Sequence, residues 1–259
     1  MYLWKYWRET RIVFGASLFL IALLFERVLL DHTASDPRGS LDQLEILLPS
    51  LLIFQAVPIS LLGWLMGSFG IGRDCGEGCG SYLLSRPRSR GYFVWRDWGF
   101  GLAQLLPIVV LLNLALGFHI YRLLTSAAGR FHGSLVLSGR PVTLTSIVCL
   151  NCLAAFLLVG LVFSLTYFST VILKHLRGVI LGAGLLLGYF LLGAFVEMGW
   201  PAVHLPSLML SIRPEFVPAV RLEAGGTSLI FVLSATARAI IVVLFPLAAQ
   251  FVLQKGDVG

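Results

Sequence analysis

Residues 143–173 read TLTSIVCLNCLAAFLLVGLVFSLTYFSTVIL and contain no Asp, Glu, Lys or Arg. A helix needs about 20 apolar residues to cross roughly 30 Å of hydrocarbon, so this stretch is long enough to span a membrane. The rest of the chain has the same character, because 58% of its 259 residues are hydrophobic, only 12% are charged, and the mean hydropathy is +0.89. A soluble domain carries about 25% charged residues. The sequence therefore predicts an integral membrane protein.

Five more apolar stretches of spanning length lie on either side of residues 143–173. They are predicted at Ile12–Leu30, Ile46–Ile71, Gly99–Ile120, Gly178–Met198 and within Ser228–Leu253. The predicted fold class is therefore an all-α integral membrane protein with six transmembrane helices, forming a single transmembrane domain over residues 1–259. Residues 1–11 mix Tyr and Trp with Lys and Arg. That composition suits a short interfacial helix in the headgroup layer.

The basic residues predict how the chain is oriented, because Lys and Arg concentrate in cytoplasmic loops. With the N-terminus inside, the inner connections hold eleven Lys and Arg and the outer connections hold six. This predicts a multi-pass protein of the cell (inner) membrane with cytoplasmic N- and C-termini. Arg122, Arg130 and Arg140 count against it, because they lie outside without a nearby acid. The same bias explains the net charge of +6 more simply than a nucleic-acid partner does.

The loop after the second predicted span is the most informative segment. It reads GRDCGEGCGSYLLSRPRSR over residues 72–90 and continues as GYFVWRDW to Trp98. It resembles the corresponding loop in the permease subunits of ABC-2 type exporters. That family has an acidic/basic stretch, a Gly-Thr-like pair, a short Leu-Leu-Ser helix and then Arg-Pro-x-Ser-Arg. Asp74 and Glu77 take the acidic places, Gly80-Ser81 is the small pair, and residues 83–90 match the remainder.

Weaker matches extend the resemblance over the whole chain. They are the LSGRPV of residues 137–142, the STVILKHLR of residues 169–177 and the QKGD of residues 254–257. One departure is the CGEGC of residues 75–79, which replaces the usual charged run. Between the last two spans, residues 199–226 contain four prolines and look like the outer loop with short helices that caps these permeases. An interfacial segment with no specific role has the same composition.

The resemblance implies that residues 73–98 form a cytoplasmic coupling loop, with a short coupling helix that fits a cleft on a separate ATPase. The implied coupling residues are Asp74, Glu77, Leu83, Leu84, Arg86, Pro87, Arg88 and Arg90. The two leucines would be an apolar key, and the arginines would pair with acids around the cleft. The alternative is that the arginines simply hold this loop inside.

The implied partners are a cytoplasmic ABC ATPase, a second permease in a homodimer or heterodimer, and membrane lipid. The chain has no Gly-x-x-x-x-Gly-Lys-Ser/Thr phosphate loop. ATP would therefore be bound by the partner subunit, and the chain is predicted to be a transport subunit with no cofactor and no enzyme activity of its own.

The four cysteines suggest two further functions. Cys149 and Cys152 form a C-x-x-C in the fourth predicted span, and Cys75 and Cys79 are a second pair. Membrane thiol oxidoreductases pass electrons between two such pairs to a quinone, but the predicted topology places these pairs most of a bilayer apart. A zinc site at Cys75 and Cys79 is disfavoured, because the nearest His in sequence, His119, lies beyond a span. A non-transporting membrane scaffold remains a third class.

Polar residues inside predicted spans are candidates for a translocation path. They are Gln55, Asn113, Asn151, Glu197 and Arg238. The alternative is that Arg238 reaches towards the outer headgroups while the amides bond between helices. In the fifth span, the steps Gly178-x-x-x-Gly182 and Gly184-x-x-x-Gly188 predict close helix packing.

Overall fold

The computed structural model describes residues 2–31, 57–76, 89–127, 136–137, 140–141, 144–174, 176–197 and 227–255. These residues form seven helices: α1 (Tyr2–Asp31), α2 (Val57–Gly67), α3 (Ile71–Gly76), α4 (Arg90–Ala127), α5 (Leu144–Leu173), α6 (Leu176–Glu197) and α7 (Thr227–Lys255). Two short strands, β1 (Val136–Leu137) and β2 (Arg140–Pro141), pair antiparallel between α4 and α5. The described fold is therefore all-helical apart from this two-residue ladder.

Three of the described helices are long and apolar enough to cross a membrane. They contain the stretches Arg90–Phe118, Asn151–Leu173 and Ala235–Gln254, and the apolar stretches Val57–Gly67 and Leu176–Gly188 are shorter. The helices are thus compatible with membrane insertion, and the prediction of a helical membrane protein is confirmed at that level. The number of six spans stays a prediction.

Two helix boundaries differ from the sequence-based expectation. The predicted interfacial helix of residues 1–11 and the span that follows it form one continuous helix, α1. Helix α4 begins at Arg90, although the third span was predicted from Gly99. Hydropathy marks where a helix becomes apolar, whereas the helix itself begins where backbone hydrogen bonding begins. Residues 90–98 therefore extend α4 beyond the predicted span.

Contacts between α5 and its neighbours define the register of the bundle. Helix α4 is antiparallel to α5, because the Trp98 indole donates to Ser164 Oγ at 2.8 Å while Asn151 donates to Asn113 farther along. Helix α2 runs parallel to α5. A Cβ on Gly63 would lie 2.8 Å from the Val159 carbonyl oxygen, and one on Gly67 would lie 2.6 Å from that of Phe163. Glycine at both positions lets the two backbones approach closely.

The buried apolar side chains form two clusters. The mid-bundle cluster joins α2, α4 and α5 and consists of Ile59, Leu62, Met66, Leu105, Ile108, Val109, Ala155, Val159 and Phe163. The second cluster joins α3, α4, α5 and α7 and consists of Ile71, Phe93, Val94, Tyr167, Val171, Ala249 and Leu253. Helix α1 packs on the mid-bundle cluster through partly buried side chains such as Val13 and Phe14.

The second cluster lies at one end of the bundle, together with the first residues of α1 and the last residues of α7. Lys5 of α1 pairs with Asp74 of α3, and Arg90 of α4 bonds to the backbone of Leu253 in α7. The two ends of the described chain therefore lie at the same end of the bundle. Which side of a membrane this end faces stays a prediction.

Candidate functional site

The candidate site is the place where the arginine-rich loop leaves the bundle and returns to it. We call it the loop base and define it by Lys5, Tyr6, Ile71, Asp74, Arg90, Asp97, Tyr167 and Leu253. Helix α3 ends at Gly76 and α4 begins at Arg90, so the loop base contains both ends of the loop. The loop residues Glu77, Leu83, Leu84, Arg86, Pro87 and Arg88 lie outside the described residues.

The departing end of the loop is held by a backbone turn and a buried carboxylate. Gly70 has a φ of +91°, a conformation that favours glycine. A Cβ there would also lie 3.1 Å from Asp97 Oδ2 and 3.2 Å from the Tyr6 ring. The next amide, that of Ile71, donates a 3.0 Å hydrogen bond to Asp97 Oδ2, and Asp97 is fully buried. This bond satisfies a backbone donor in the first turn of α3, which has no partner within the helix.

An ion pair ties α3 to α1. Lys5 Nζ contacts Asp74 Oδ1 and also lies 3.8 Å from Glu9 Oε1. The Asp74 side chain is 3% exposed, whereas that of Lys5 is 33% exposed. Asp74, which the resemblance assigned to coupling, therefore faces the N-terminal turns of α1.

The returning end of the loop is tied to α7. Arg90 Nη1 donates to the Leu253 carbonyl oxygen at 2.5 Å, and the Trp95 indole donates to Gln250 Oε1 at 2.7 Å. The carbonyls of the last turn of a helix lack partners within it, and a cation near that end is favourable. Arg90 thus caps the C-terminal end of α7.

Two buried tyrosines, Tyr6 and Tyr167, lie near Asp97. The Tyr6 hydroxyl donates to the Met66 carbonyl oxygen at 3.4 Å, and its ring makes an edge contact with Phe100. The Tyr167 hydroxyl donates to the Val94 carbonyl oxygen, also at 3.4 Å. Burial raises the pKa of Tyr6 well above its usual value, and the nearby Asp97 and Glu9 raise it further. Tyr6 is therefore a neutral hydrogen-bond donor at physiological pH.

The contacts of the loop base join several helices of the bundle. They connect α3 to α1 through the buried Asp74 and the partly exposed Lys5, and to α4 through the buried Asp97, while Arg90 connects the start of α4 to α7. Tightly packed interiors pass strain to their neighbours rather than absorbing it. Among the described residues, no group of three His, Cys, Asp or Glu side chains is placed to hold a metal ion.

The polar residues of the predicted translocation path are only partly brought together. Asn151 donates to Asn113, and Asn113 donates to the Val109 carbonyl oxygen at 2.8 Å, so the two amides bond between α4 and α5 as the alternative predicted. Arg238 of α7 is 4% exposed. Its side chain is therefore covered by protein. Gln55 lies outside the described residues, and so does the side chain of Glu197.

Among the described cysteines, Cys75 lies far from Cys149 and Cys152. Cys75 packs on the cluster containing Val171, whereas Cys152 packs on the mid-bundle cluster. Val171 and Cys152 are both on α5, separated by about 28 Å at 1.5 Å per residue. Burial raises the pKa of the Cys75 thiol, Asp74 adds to the shift and Lys174 opposes it. A half-buried thiol with a raised pKa is a poor nucleophile, and this separation disfavours electron transfer between Cys75 and the pair at Cys149 and Cys152.

Several buried polar residues were missed by the sequence reasoning. Asp97, Tyr6 and Tyr167 were not assigned to any site, and neither were Ser60 and Gln104, which are buried among apolar side chains. An acid nine residues after the Arg-Pro-Arg of the loop, at the start of an apolar run, was the available signal for Asp97. No protein-family model, curated protein or solved structure matches this chain.

Proposed function

We propose that this chain is the transmembrane permease subunit of an ATP-driven exporter of the ABC-2 type. A separate cytoplasmic ATPase would bind the loop of residues 73–98, and two permease subunits would form the path for the substrate. The single observation that carries the proposal is the loop base, where an arginine-rich, leucine-containing loop begins and ends on buried or partly buried contacts to the bundle.

This arrangement suits a coupling element better than a mere topological anchor. An anchor requires only basic residues on one side of the membrane. Here Asp97 holds the first amide of α3, and Arg90 caps the end of α7. These contacts would pass a movement of the loop to α1, α4 and α7. ATP-driven closure of the ATPase subunits would then rock these helices and open a path at the permease interface.

Leu83 and Leu84 provide the direct test of the proposal. They are apolar residues in a loop that would otherwise face water, and burying one such side chain is worth roughly 1.5–3 kcal/mol. Losing that contact weakens a complex about tenfold or more. We expect Leu84→Asp to insert normally, because the site lies outside the lipid, and to lose co-purification with the ATPase and transport-coupled ATP hydrolysis.

Two further variants are compared with Leu84→Asp in the same measurement. Leu84→Met keeps the apolar volume and should retain the ATPase. Arg88→Glu should weaken co-purification less than Leu84→Asp, because exposed charges are screened by salt. Normal assembly and coupling in Leu84→Asp would reduce this loop to a basic anchor and remove the main support for the proposed function.

A further inference from the structure

Ser60 of α2 and Gln104 of α4 are buried polar side chains whose hydrogen-bonding groups are unsatisfied. Ser60 is fully buried and Gln104 is 6% exposed. Within the described part of the chain, the Ser60 hydroxyl and both polar atoms of the Gln104 amide have no hydrogen-bond partner. Other buried hydroxyls in the bundle bond back to the carbonyl one turn earlier, as Thr10 and Thr166 do. Ser60 and Gln104 therefore need another explanation.

The two residues lie at the same level of the bundle. Gln104 is six residues from Trp98, which bonds to Ser164 of the antiparallel α5, so it lies close to the level of Val159. Ser60 is one turn from Gly63, which packs on the Val159 carbonyl. Measured along the bundle axis, the levels of both residues thus lie within about one helical turn of the level of Val159. Val159 is eight residues from the nearer end of the Asn151–Leu173 stretch, so in the predicted span this level lies well inside the hydrocarbon.

The chemistry of the two side chains indicates what would bind there. The amide offers two donor hydrogens and an acceptor oxygen, and the hydroxyl offers both functions. The adjacent cluster members Ile59, Leu105 and Val159 are apolar and supply no counter-charge. A charged ligand would therefore be costly at this depth, and an apolar one would leave the polar atoms unsatisfied. A neutral hydroxyl, which both donates and accepts, fits best.

We propose that Ser60 and Gln104 form one neutral polar site in the middle of the bundle that binds a hydroxyl group, supplied by water or by the glycerol of a lipid. The site does not depend on the proposed transport function. Internal water in proteins typically makes about three hydrogen bonds to polar groups that would otherwise be unsatisfied. These two side chains can supply that number.

The test is a double-mutant cycle on the thermal unfolding midpoint of the purified full-length protein. If both side chains hold one bound hydroxyl, Gln104→Leu and Ser60→Ala should each lower the midpoint by about 2–4 °C, and the double variant should fall no lower than the worse single variant. If the groups are simply unpaired, replacing each by an apolar side chain removes a desolvation penalty. Both midpoints would then rise additively, which would overturn the proposal.

Measuring the cycle in two environments identifies the source of the hydroxyl. Coupling both in a detergent whose headgroup lacks hydroxyls and in phosphatidylglycerol vesicles supports water. Coupling only in the vesicles supports the lipid glycerol. A second measurement, radiolytic hydroxyl labelling of the wild-type protein, should modify the buried Leu105 or Ile59 if water is bound. Absence of coupling in both environments together with absence of labelling overturns the proposal.

Discussion

At the scale of single residues, a positive φ shows where the backbone is strained. Lys174 follows the end of α5 with a φ of +56° and is the one described non-glycine residue with a positive φ. This left-handed conformation at a helix C-terminus is usually taken by glycine. A non-glycine residue there costs roughly 1–2 kcal/mol.

We expect Lys174→Gly to be stabilising, because glycine adopts this conformation without the steric penalty of a Cβ. The gain should be about 1 kcal/mol, which corresponds to a rise of about 2–4 °C in the unfolding midpoint. Thermal unfolding in detergent measures it. Lys174→Ala is the matched control, since it removes the same charge and keeps the Cβ. An equal gain in Lys174→Ala would show that the charge, and not the backbone, was responsible.

The residues of the loop base also show what sequence reasoning could reach. Arg90 and Asp74 were assigned to the coupling loop because the resemblance covered them. Asp97 was not assigned a role, although it lies within residues 73–98 and accepts a hydrogen bond from the Ile71 amide at the start of α3. Its role depends on a partner 26 residues away along the chain, and hydropathy or local motifs carry no information about such a contact. The role of Tyr6 was not predicted for the same reason, because an aromatic ring in residues 1–11 indicated a headgroup anchor.

At the scale of elements, the ion pair between Lys5 and Asp74 docks α1 on α3. We expect Lys5→Glu to lower stability by about 1–3 kcal/mol. That is less than the 3–5 kcal/mol of a fully buried pair, because a third of Lys5 is exposed. The swap Lys5→Glu with Asp74→Lys should recover most of the loss, and the exposed Arg8→Glu on the same helix should change little. Thermal unfolding of the three variants and of the wild-type protein measures this. Failure of the swap to recover stability would mean that the pair contributes no specific attraction.

Two glycine motifs in α6 look alike in sequence but differ in how closely they pack against α5. A Cβ on Gly178 would collide with Thr170 and Ser169, and one on Gly182 would lie 3.1 Å from Thr166. Among the described residues, a Cβ on Gly184 or Gly188 would meet no atom of another helix within 4 Å. The prediction of close packing is thus confirmed for the first step only. A spacing of four residues repeats a face of a helix, but it does not say which face meets a neighbour.

This difference gives a matched pair of substitutions. We expect Gly178→Ala to destabilise the protein by about 1–3 kcal/mol, because backbone atoms of α5 occupy the space that the methyl group needs. Gly184→Ala should be neutral or stabilise by up to about 1 kcal/mol, because alanine has the higher helix propensity. Unfolding midpoints in detergent decide between them. Equal effects of the two substitutions would contradict the packing of α6 against α5.

At the scale of the whole molecule, composition was enough to predict a helical membrane protein, because helices that face lipid carry mostly apolar side chains. Helix order and register were not predictable in the same way. The level of Trp98 against Ser164, or of Gly67 against Phe163, depends on how glycines and polar side chains fit across helices. The loop base depends on that register. The sequence therefore predicted the loop but not the contacts that hold its two ends.

The orientation of the bundle is the last prediction, and it follows from combining the register with the charges. Lys5 and Leu253 lie at the end that carries the loop base, so both termini and the arginine-rich loop should be on one side of the membrane. The positive-inside tendency predicts that this side is the cytoplasm. A reporter fused after Gly259 should therefore read cytoplasmic, and a cysteine replacing Arg88 in a chain otherwise free of cysteine should resist an impermeant thiol reagent in intact cells. A cysteine replacing Arg38 in the same background should react, which controls for access of the reagent. Reaction at position 88 from outside would place the loop beyond the reach of any cytoplasmic ATPase, and the proposed coupling would be wrong even if the described helices stay as they are.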